Sequence, residues 1–402
     1  MNILFVTSRF PYPPLKGDQV VVYNRLKLLG EKHRITLLCF YQDPGELDYL
    51  DRLRPYCEEI ITVKRSRQTA LLSTVVGGLF TGLPLQVCYY HSRRFHKELK
   101  ALLSRKHFDV IHTYMIRMAE YTKDLDVPKV LDLIDSMQLN LQRRADMEKY
   151  LLKAGLRREL ARVRRYENFI VGKYDSSLVV SESDKEAILS ENERISVINN
   201  GVDTNKFRRL RPLPDNRVMI FTGNMGYSPN RNAVLWFLDN CFPLIRSRMP
   251  DAAFIVAGSD PGKKIKTFHD GKSVIVKGFV DSIVEELNGA RVSLAPMQSG
   301  SGIQNKILEA MACEVPVVAT TLGRGTIRAE DREHIWVADE PAEFAEACSA
   351  LLTNYPLAWR VGKNARKLVD EAYSWESSVK KIEAVYASLV YRSRITATEG
   401  LR

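Results

Sequence analysis

Cysteine is scarce and unpatterned in this chain. The six cysteines, Cys39, Cys57, Cys88, Cys241, Cys313 and Cys348, make no Cys-x-x-Cys pair and stand at no Cys/His spacing suited to a metal ion. Reduced, structural thiols in a cytosolic protein are therefore expected, and no metal site. A secretory leader is not expected either. Met1 to Val6 is a strand-like apolar run that breaks at Thr7-Ser8-Arg9, with no basic region before it and no small-residue cleavage site after it. No short repeat and no low-complexity tract is visible.

Acidic residues are outnumbered, 48 Asp and Glu against 59 Lys and Arg, for a net charge of +11. More than half of that excess lies in Arg143 to Arg165, where nine basic residues face Asp146, Glu148 and Glu159. Leu152, Leu156, Leu160 and Val163 form one stripe at helical spacing, with Lys149, Lys153 and Arg157 on a neighbouring face. Such a helix suits an anionic membrane surface or a pyrophosphate-linked lipid; a solvated face over a core-packed helix is the other reading. Nucleic acid is not expected, because no binding motif accompanies the charge.

What is present is enough apolar sequence, 45% of 402 residues, for two sizeable cores. Strand-like and helix-like segments alternate, which predicts α/β domains with parallel sheets covered on both faces. The first series of strands is Asn2–Thr7, Arg34–Phe40, Glu59–Val63, Val110–Thr113, Lys129–Leu133 and Ser177–Val180. The second is Val218–Thr222, Ala253–Ala257, Val274–Val276, Val292–Ala295, Val315–Ala319 and Ile335–Val337. A polar, helix-like connector and the proline-bearing linker Leu210–Pro214 separate them, giving expected domains of 1–185 and 186–374.

The most informative stretch is Ser299 to Ala312. An apolar run ending at Pro296 leads into Gly300-Ser301-Gly302-Ile303-Gln304-Asn305, and apolar spacing at Ile307, Leu308, Met311 and Ala312 marks a helix. The order is strand, glycine loop, helix. Glycines let the main chain approach a ligand, and the unpaired N–H groups of a helix start favour an anion. Lys306 adds a positive charge in the first turn, and Glu309, three residues on, is placed to accept hydrogen bonds from vicinal hydroxyls. A ribose diphosphate satisfies both. An ordinary connection with a surface Lys-Glu pair is the competing reading.

The whole run from Gly300 through Glu309-Ala310-Met311-Ala312 to Pro316-Val317-Val318 resembles the signature of group 1, retaining GT-B glycosyltransferases (family 4). Asn200-Gly201-Val202-Asp203 with Phe207, Phe221 to Pro243, and Ser374-Trp375 carry the resemblance over most of the chain. The N-terminal segment Met1 to Asp18 is similar to members associated with bacterial surface-polysaccharide assembly. The resemblance implies two Rossmann-like, doubly wound domains with the active site in the cleft between them, and a C-terminal helix, 375–402, packing back on the first domain. It implies that Glu309 binds the nucleotide ribose, and that no metal or cofactor is needed beyond the nucleotide-sugar substrate.

Two positions depart from the family pattern. The family's Glu-x7-Glu has Ser301 in place of its first carboxylate, so recognition of the transferred sugar must differ. The arginine and lysine that commonly neutralise the diphosphate are replaced by Asn224 and Asn230. Lys306 and the neighbouring Arg231 are taken as their substitutes and as the catalytic cations. A retaining transfer builds negative charge on the leaving diphosphate, so groups that stabilise it lower the barrier most directly.

In the first domain, Gly17 precedes a helix and offers a second phosphate-facing start, against the alternative of a proline-rich turn. His112, at a strand end, reads more readily as a structural partner than as an acid or base. Asp132 and Asp135 close another strand; Asp135 is the candidate to reach the cleft, with a plain helix cap as the alternative. Residues 68–90 carry no charge, flanked by Lys64, Arg65 and Arg67 and by Arg93 and Arg94. Gly77, Gly78, Gly82 and Pro84 make a poor transmembrane helix, leaving a membrane-dipping or acceptor-facing hairpin or a buried helix pair.

The expected function is transfer of a sugar from a UDP- or GDP-linked donor to a lipid-linked oligosaccharide or polysaccharide precursor. It would take place in the cytoplasm, at the inner face of the cell membrane. Another GT-B enzyme such as a sugar-nucleotide epimerase, or a non-catalytic donor-binding partner suggested by Ser301, remains open.

Overall fold

The computed structural model describes residues 1–147, 150–188, 194–299 and 304–399, with only the backbone described for 143–147, 150–154 and 396–399. The chain divides into two compact units, Met1–Asn200 with Ser378–Arg402, and Gly201–Ser377.

The first unit is built on seven parallel strands: β1 (Asn2–Thr7), β2 (Arg34–Tyr41), β3 (Glu59–Lys64), β4 (Val110–Tyr114), β5 (Lys129–Ile134), β6 (Ser176–Val179) and β7 (Ile195–Val197). Their spatial order is β3-β2-β1-β4-β5-β6-β7. Strand order reverses between β1 and β4, where successive crossovers leave for opposite edges of the sheet. The apolar runs of β1 and β4 are buried on both faces, as parallel strands under helices must be.

β7 lies in what the sequence suggested was a helix-like connector. Its three residues pair with β6 through Ser177 opposite Ile195 and Val179 opposite Val197. That pairing moves the first boundary from the expected 185/186 to 200/201. The second boundary falls at 377/378 rather than 374/375, because the start of the final helix, Trp375–Glu399, is bound to Gly201 and Val202. Val202 bridges Ser374, and a Cβ on Gly201 would lie 2.3 Å from the Trp375 nitrogen.

The second unit has six parallel strands, β8 (Val218–Thr222), β9 (Ala253–Ala257), β10 (Val274–Gly278), β11 (Val292–Ala295), β12 (Val317–Ala319) and β13 (Trp336–Val337), in the order β10-β9-β8-β11-β12-β13. Consecutive side chains of β8 enter opposite cores. Met219 and Phe221 pack with Phe237 and Phe254 on one face, while Ile220 packs with Ile307 and Met311 on the other.

Residues 68–90 form a hairpin of two helices, Arg67–Phe80 and Leu85–Tyr90. No helix among the described residues is long and apolar enough to cross a membrane. In the basic helix Tyr150–Val171, Leu160 and Val163 are buried and Arg157 is exposed. Lys149 and the side chains of Leu152 and Lys153 lie outside the described residues.

A buried charge cluster holds the first unit together. Arg25, from the helix Gly17–Gly30, pairs with Asp132 of β5, both 1% exposed at the side chain. His112 of β4 lies with Nε2 3.3 Å from the same carboxylate, and burial beside Arg25 holds its pKa well below the ordinary value. The neutral ring meets the Tyr386 hydroxyl at Nδ1, 2.6 Å away. His112 is therefore a structural partner. Asp132→Asn removes the charge that neutralises Arg25 in a low-dielectric site and should destabilise the protein by about 3–5 kcal/mol. The double variant Arg25→Met/Asp132→Leu, which leaves no uncompensated charge, should lose less; urea unfolding midpoints of the two variants provide the comparison.

Candidate functional site

The second sheet reverses strand order between β8 and β11, and crossovers diverging from such a pair open a crevice at the strands' carboxyl ends. β8 is followed by Gly223, whose φ of 150° suits glycine, and β9 by Gly258, with φ 138°. The two turns touch: a Cβ on Gly258 would stand 1.9 Å from the Gly223 carbonyl oxygen. Only glycine permits this approach. From Gly223 the chain runs through a tight loop into the helix Ser228–Trp236. Asn224 shapes that loop, its Oδ1 accepting from the Gly226 N–H at 2.7 Å.

Opposite, β11 runs through Pro296 and Met297 towards the helix Asn305–Ala312, preceded by Gln304. Gly300, Ser301, Gly302 and Ile303 lie outside the described residues. Lys306, in the first turn, crosses to the β8 side. Its ammonium donates to Asn230 Oδ1 at 2.6 Å and to Gln304 Oε1 at 3.3 Å, and sits 4.7 Å from the centre of the Phe221 ring. Asn230 is itself held, its Nδ2 donating to the Asn224 carbonyl at 2.9 Å.

Lys306 is thus a half-buried cation held by neutral amide oxygens. Burial pulls its pKa down to about 8, against the opposing field of Glu309. Glu309 lies one turn further along, its carboxyl pushed up by burial and pulled back by Lys206 and Lys306. Its carboxylate has no hydrogen-bond partner among the described residues. The pair offers a positive charge and an open acceptor on one helix, the combination that a phosphate and a sugar hydroxyl would use.

Arg231 neighbours Asn230 but turns to its own loop, donating to the Met225 carbonyl at 3.4 Å. The expected site residues Asn224, Arg231, Gln304, Asn305, Lys306 and Glu309 therefore lie on two segments of the second unit. Asn230 was read in the sequence as a lost cation and proves to be the partner of Lys306. Gly223 and Gly258 were not singled out, although each directly follows a strand, and that shared position was the available signal.

The other two expected residues belong to the first unit. Gly17 opens its helix with no atom within 4 Å of where a Cβ would be. Beside it, Asp18 pairs with Arg9 at 3.3 Å and with Arg117 at 3.4 Å, at the carboxyl ends of β1 and β4 where that sheet reverses. Asp135, exposed beyond β5, accepts from Asn140 Nδ2 at 2.7 Å; desolvation first, and then Asp184, raise its pKa. It borders a cavity of about 290 Å³ shared with Met115, Arg117 and Leu133. Ser136, rather than Asp135, receives the Leu139 N–H at the start of the following helix.

Two family models match the chain, Glycosyltransferase Family 4 over residues 16–206 and Glycosyl transferases group 1 over residues 216–354. An uncharacterized 44.6 kDa protein in the cps region of Klebsiella pneumoniae is 23% identical over 393 residues, covering 92% of this chain and 96% of its own length. The lipopolysaccharide core biosynthesis mannosyltransferase LpsB of Rhizobium meliloti is 28% identical over 216 residues, 48% of this chain and 61% of that protein. Among solved structures, Anabaena Alr3699/HepE in complex with UDP has a TM-score of 0.65 at 15% identity, over 96% of this chain and 100% of that one. Sucrose-phosphate synthase from Thermosynechococcus elongatus has a TM-score of 0.68 at 16% identity, over 98% and 100%. At such identities the structural likeness is one of fold. The two family models between them span most of the chain, one on each unit's principal sheet, and with two doubly wound, Rossmann-like units the chain belongs to the group 1 glycosyltransferases of GT-B fold.

Proposed function

We propose that this glycosyltransferase takes its sugar from a UDP- or GDP-linked donor and passes it, with retention at the anomeric carbon, to a lipid-linked oligosaccharide or polysaccharide precursor. The observation that carries the reading is the Lys306 ammonium, held by neutral amides, one turn before the unoccupied hydrogen-bonding capacity of Glu309. A diphosphate gives Lys306 the counter-charge it lacks, and a ribose gives Glu309 its donors. UDP is favoured as the nucleotide by the UDP and UDP-glucose complexes of the structural relative Alr3699/HepE. A polysaccharide or lipopolysaccharide product is favoured by the cps-region relative and by LpsB. The enzyme would work at the inner face of the cell membrane as a peripheral protein, with the nucleotide sugar as substrate and no cofactor of its own.

In this mechanism the bond from anomeric carbon to diphosphate oxygen lengthens, and negative charge gathers on the leaving group. Lys306 stabilises that charge more in the transition state than in the bound donor, because it starts in a site with little water to compete. The leaving oxygen accepts the acceptor's proton on the same face, so no side chain is assigned as base. Asn230 and Gln304 position Lys306, while Arg231 and Asp135 remain candidates for contact with the reacting groups.

Two measurements test the donor site. Glu309→Ala should cost the nucleotide a charge-assisted hydrogen bond of about 1.5–3 kcal/mol, a loss of UDP affinity of roughly 10- to 150-fold by calorimetry. Unchanged affinity in a folded variant would remove Glu309 from the site.

The second is pH dependence. Since the Lys306 pKa falls from 10.5 to about 8, the free protein loses the proton as pH rises past that value, and diphosphate binding must restore it. UDP affinity should weaken above pH 8 by up to about tenfold per pH unit. Lys306→Arg, charged throughout, should give a flat profile from pH 7 to 9.5. A flat wild-type profile would show that Lys306 does not meet the diphosphate.

A further inference from the structure

An apolar cavity of the first unit is unused by the donor site. It measures about 870 Å³ and opens between the helical hairpin of residues 67–90 and the end of β3. Its floor is built from Leu72, Val76, Leu83 and Val87, and its charged side from Lys64, Arg65, Arg93 and Arg94. A volume of this size accommodates one ligand of small-molecule dimensions.

Arg65 is the unusual member. It is 4% exposed, and its Nε and Nη2 are buried without a hydrogen-bond partner among the described residues. Phe40 and Tyr89 present their rings at 5.8 and 5.4 Å from the guanidinium carbon, and no carboxylate pairs with it among the described residues. Aromatic faces offset part of the cost of burying a cation, but they leave its N–H groups unfilled. The Arg25 guanidinium in the same unit has Asp132; Arg65 faces a cavity. The groups beside it add positive charge, with Lys64, Arg93 and Arg94 exposed around the mouth. Glu120, which also borders the cavity, is already engaged by Lys123 and by the Tyr166 hydroxyl.

The apolar side continues outside the cavity. Leu71, Leu72, Val75, Val76, Leu79 and Phe80 are between 49% and 81% exposed, and their spacing sets them in one stripe along the helix Arg67–Phe80. This helix is firmly held. A Cβ on Gly77 would meet Cys88 Sγ at 2.7 Å, so the two arms of the hairpin pack backbone to side chain. Arg162 donates to the Gly78 carbonyl at 2.7 Å, and Glu159 accepts from the Leu85 N–H at 2.6 Å, tying the hairpin to the basic helix. At about 1.5 Å rise per residue its 14 residues reach about 21 Å, short of the roughly 30 Å hydrocarbon layer. Such a stripe suits the bilayer interface.

We infer that this cavity binds one molecule of a phosphate- or diphosphate-headed lipid, with the headgroup on Arg65 and the hydrocarbon chain running over Leu72 and Val76 to the exposed stripe. Charge complementarity chooses the occupant: a neutral chain leaves Arg65 unpaired, and a free phosphate leaves the apolar floor bare. That the lipid is the sugar acceptor's anchor rests on the glycosyltransferase reading above; the binding itself does not.

The test uses the full chain, with dodecyl phosphate below its micellar concentration, inorganic phosphate, and an uncharged dodecyl polyether as probes, measured by calorimetry. UDP is titrated into the same samples. Dodecyl phosphate should bind at least tenfold more tightly than either control, and Arg65→Met should weaken it at least tenfold while leaving UDP affinity unchanged. Should Arg65→Met fail to fold, the exposed pair Arg93→Glu/Arg94→Glu should weaken dodecyl phosphate several-fold. Leu72→Ser/Val76→Ser should reduce the advantage over inorganic phosphate. Equal binding of dodecyl and inorganic phosphate would reduce the site to one for small anions, and equal binding of the polyether would reduce it to an apolar groove for another partner. Either overturns the inference, as does undiminished binding by Arg65→Met or by the Arg93/Arg94 variant. Loss of UDP binding in the wild type would instead count against the donor site alone.

Discussion

A parallel sheet cannot turn back on itself through a hairpin, and that constraint organises both units. Each strand must be reached by a crossover, and the crossovers that begin on either side of a central pair leave in opposite directions. In the first sheet the pair is β1 and β4, in the second β8 and β11. At those points no crossover helix covers the strand ends, so loops and helix starts collect there. Asp18 with Arg117 gathers at one such point, and Asn230 with Lys306 at the other. The placing of these candidate residues follows from topology before any individual side chain matters.

Three cations show how differently the fold treats positive charge away from water. Arg25 is neutralised by a carboxylate and closed beneath a strand, and becomes part of the framework. Lys306 is held, among the described residues, by the neutral oxygens of Asn230 and Gln304, and burial lowers its pKa to about 8. Arg65 is supported by ring faces while its Nε and Nη2 have no hydrogen-bond partner among the described residues. Desolvation acts on all three. In the functions proposed for Lys306 and Arg65, what separates scaffold from site is whether the protein supplies the counter-charge or leaves it to a ligand.

Much of this was legible in the sequence because the strands are continuous apolar runs, a consequence of burial on both faces. β1, β8, β9 and β11 occupy the residues that the runs mark. β7 was not legible, since Ile195-Ser196-Val197 is too short to show a pattern and gains its identity from pairing with β6. The helix after Gln304 was readable from apolar spacing together with Lys306 and Glu309. The pairing of Lys306 with Asn230 was not, because it joins residues 76 positions apart and sequence spacing carries no information on that distance. The uncharged hairpin was visible as a composition, but the burial of Arg65 beside it, with Nε and Nη2 unpartnered among the described residues, depends on tertiary placement.

The final helix has a consequence for the order of events during synthesis. Tyr386 meets His112 across 274 positions of chain, and His33 meets Glu383 across 350. Every residue of Gly201–Ser377 leaves the ribosome before either contact becomes available. The N-terminal half, though made first, therefore waits for its last structural piece, with the hydroxyl that satisfies His112 missing in the interval. The C-terminal half can finish while the N-terminal half is still incomplete. This inverts the usual sequence of domain completion in vectorial folding, and makes residues 378 onward the segment whose arrival lets the N-terminal unit close.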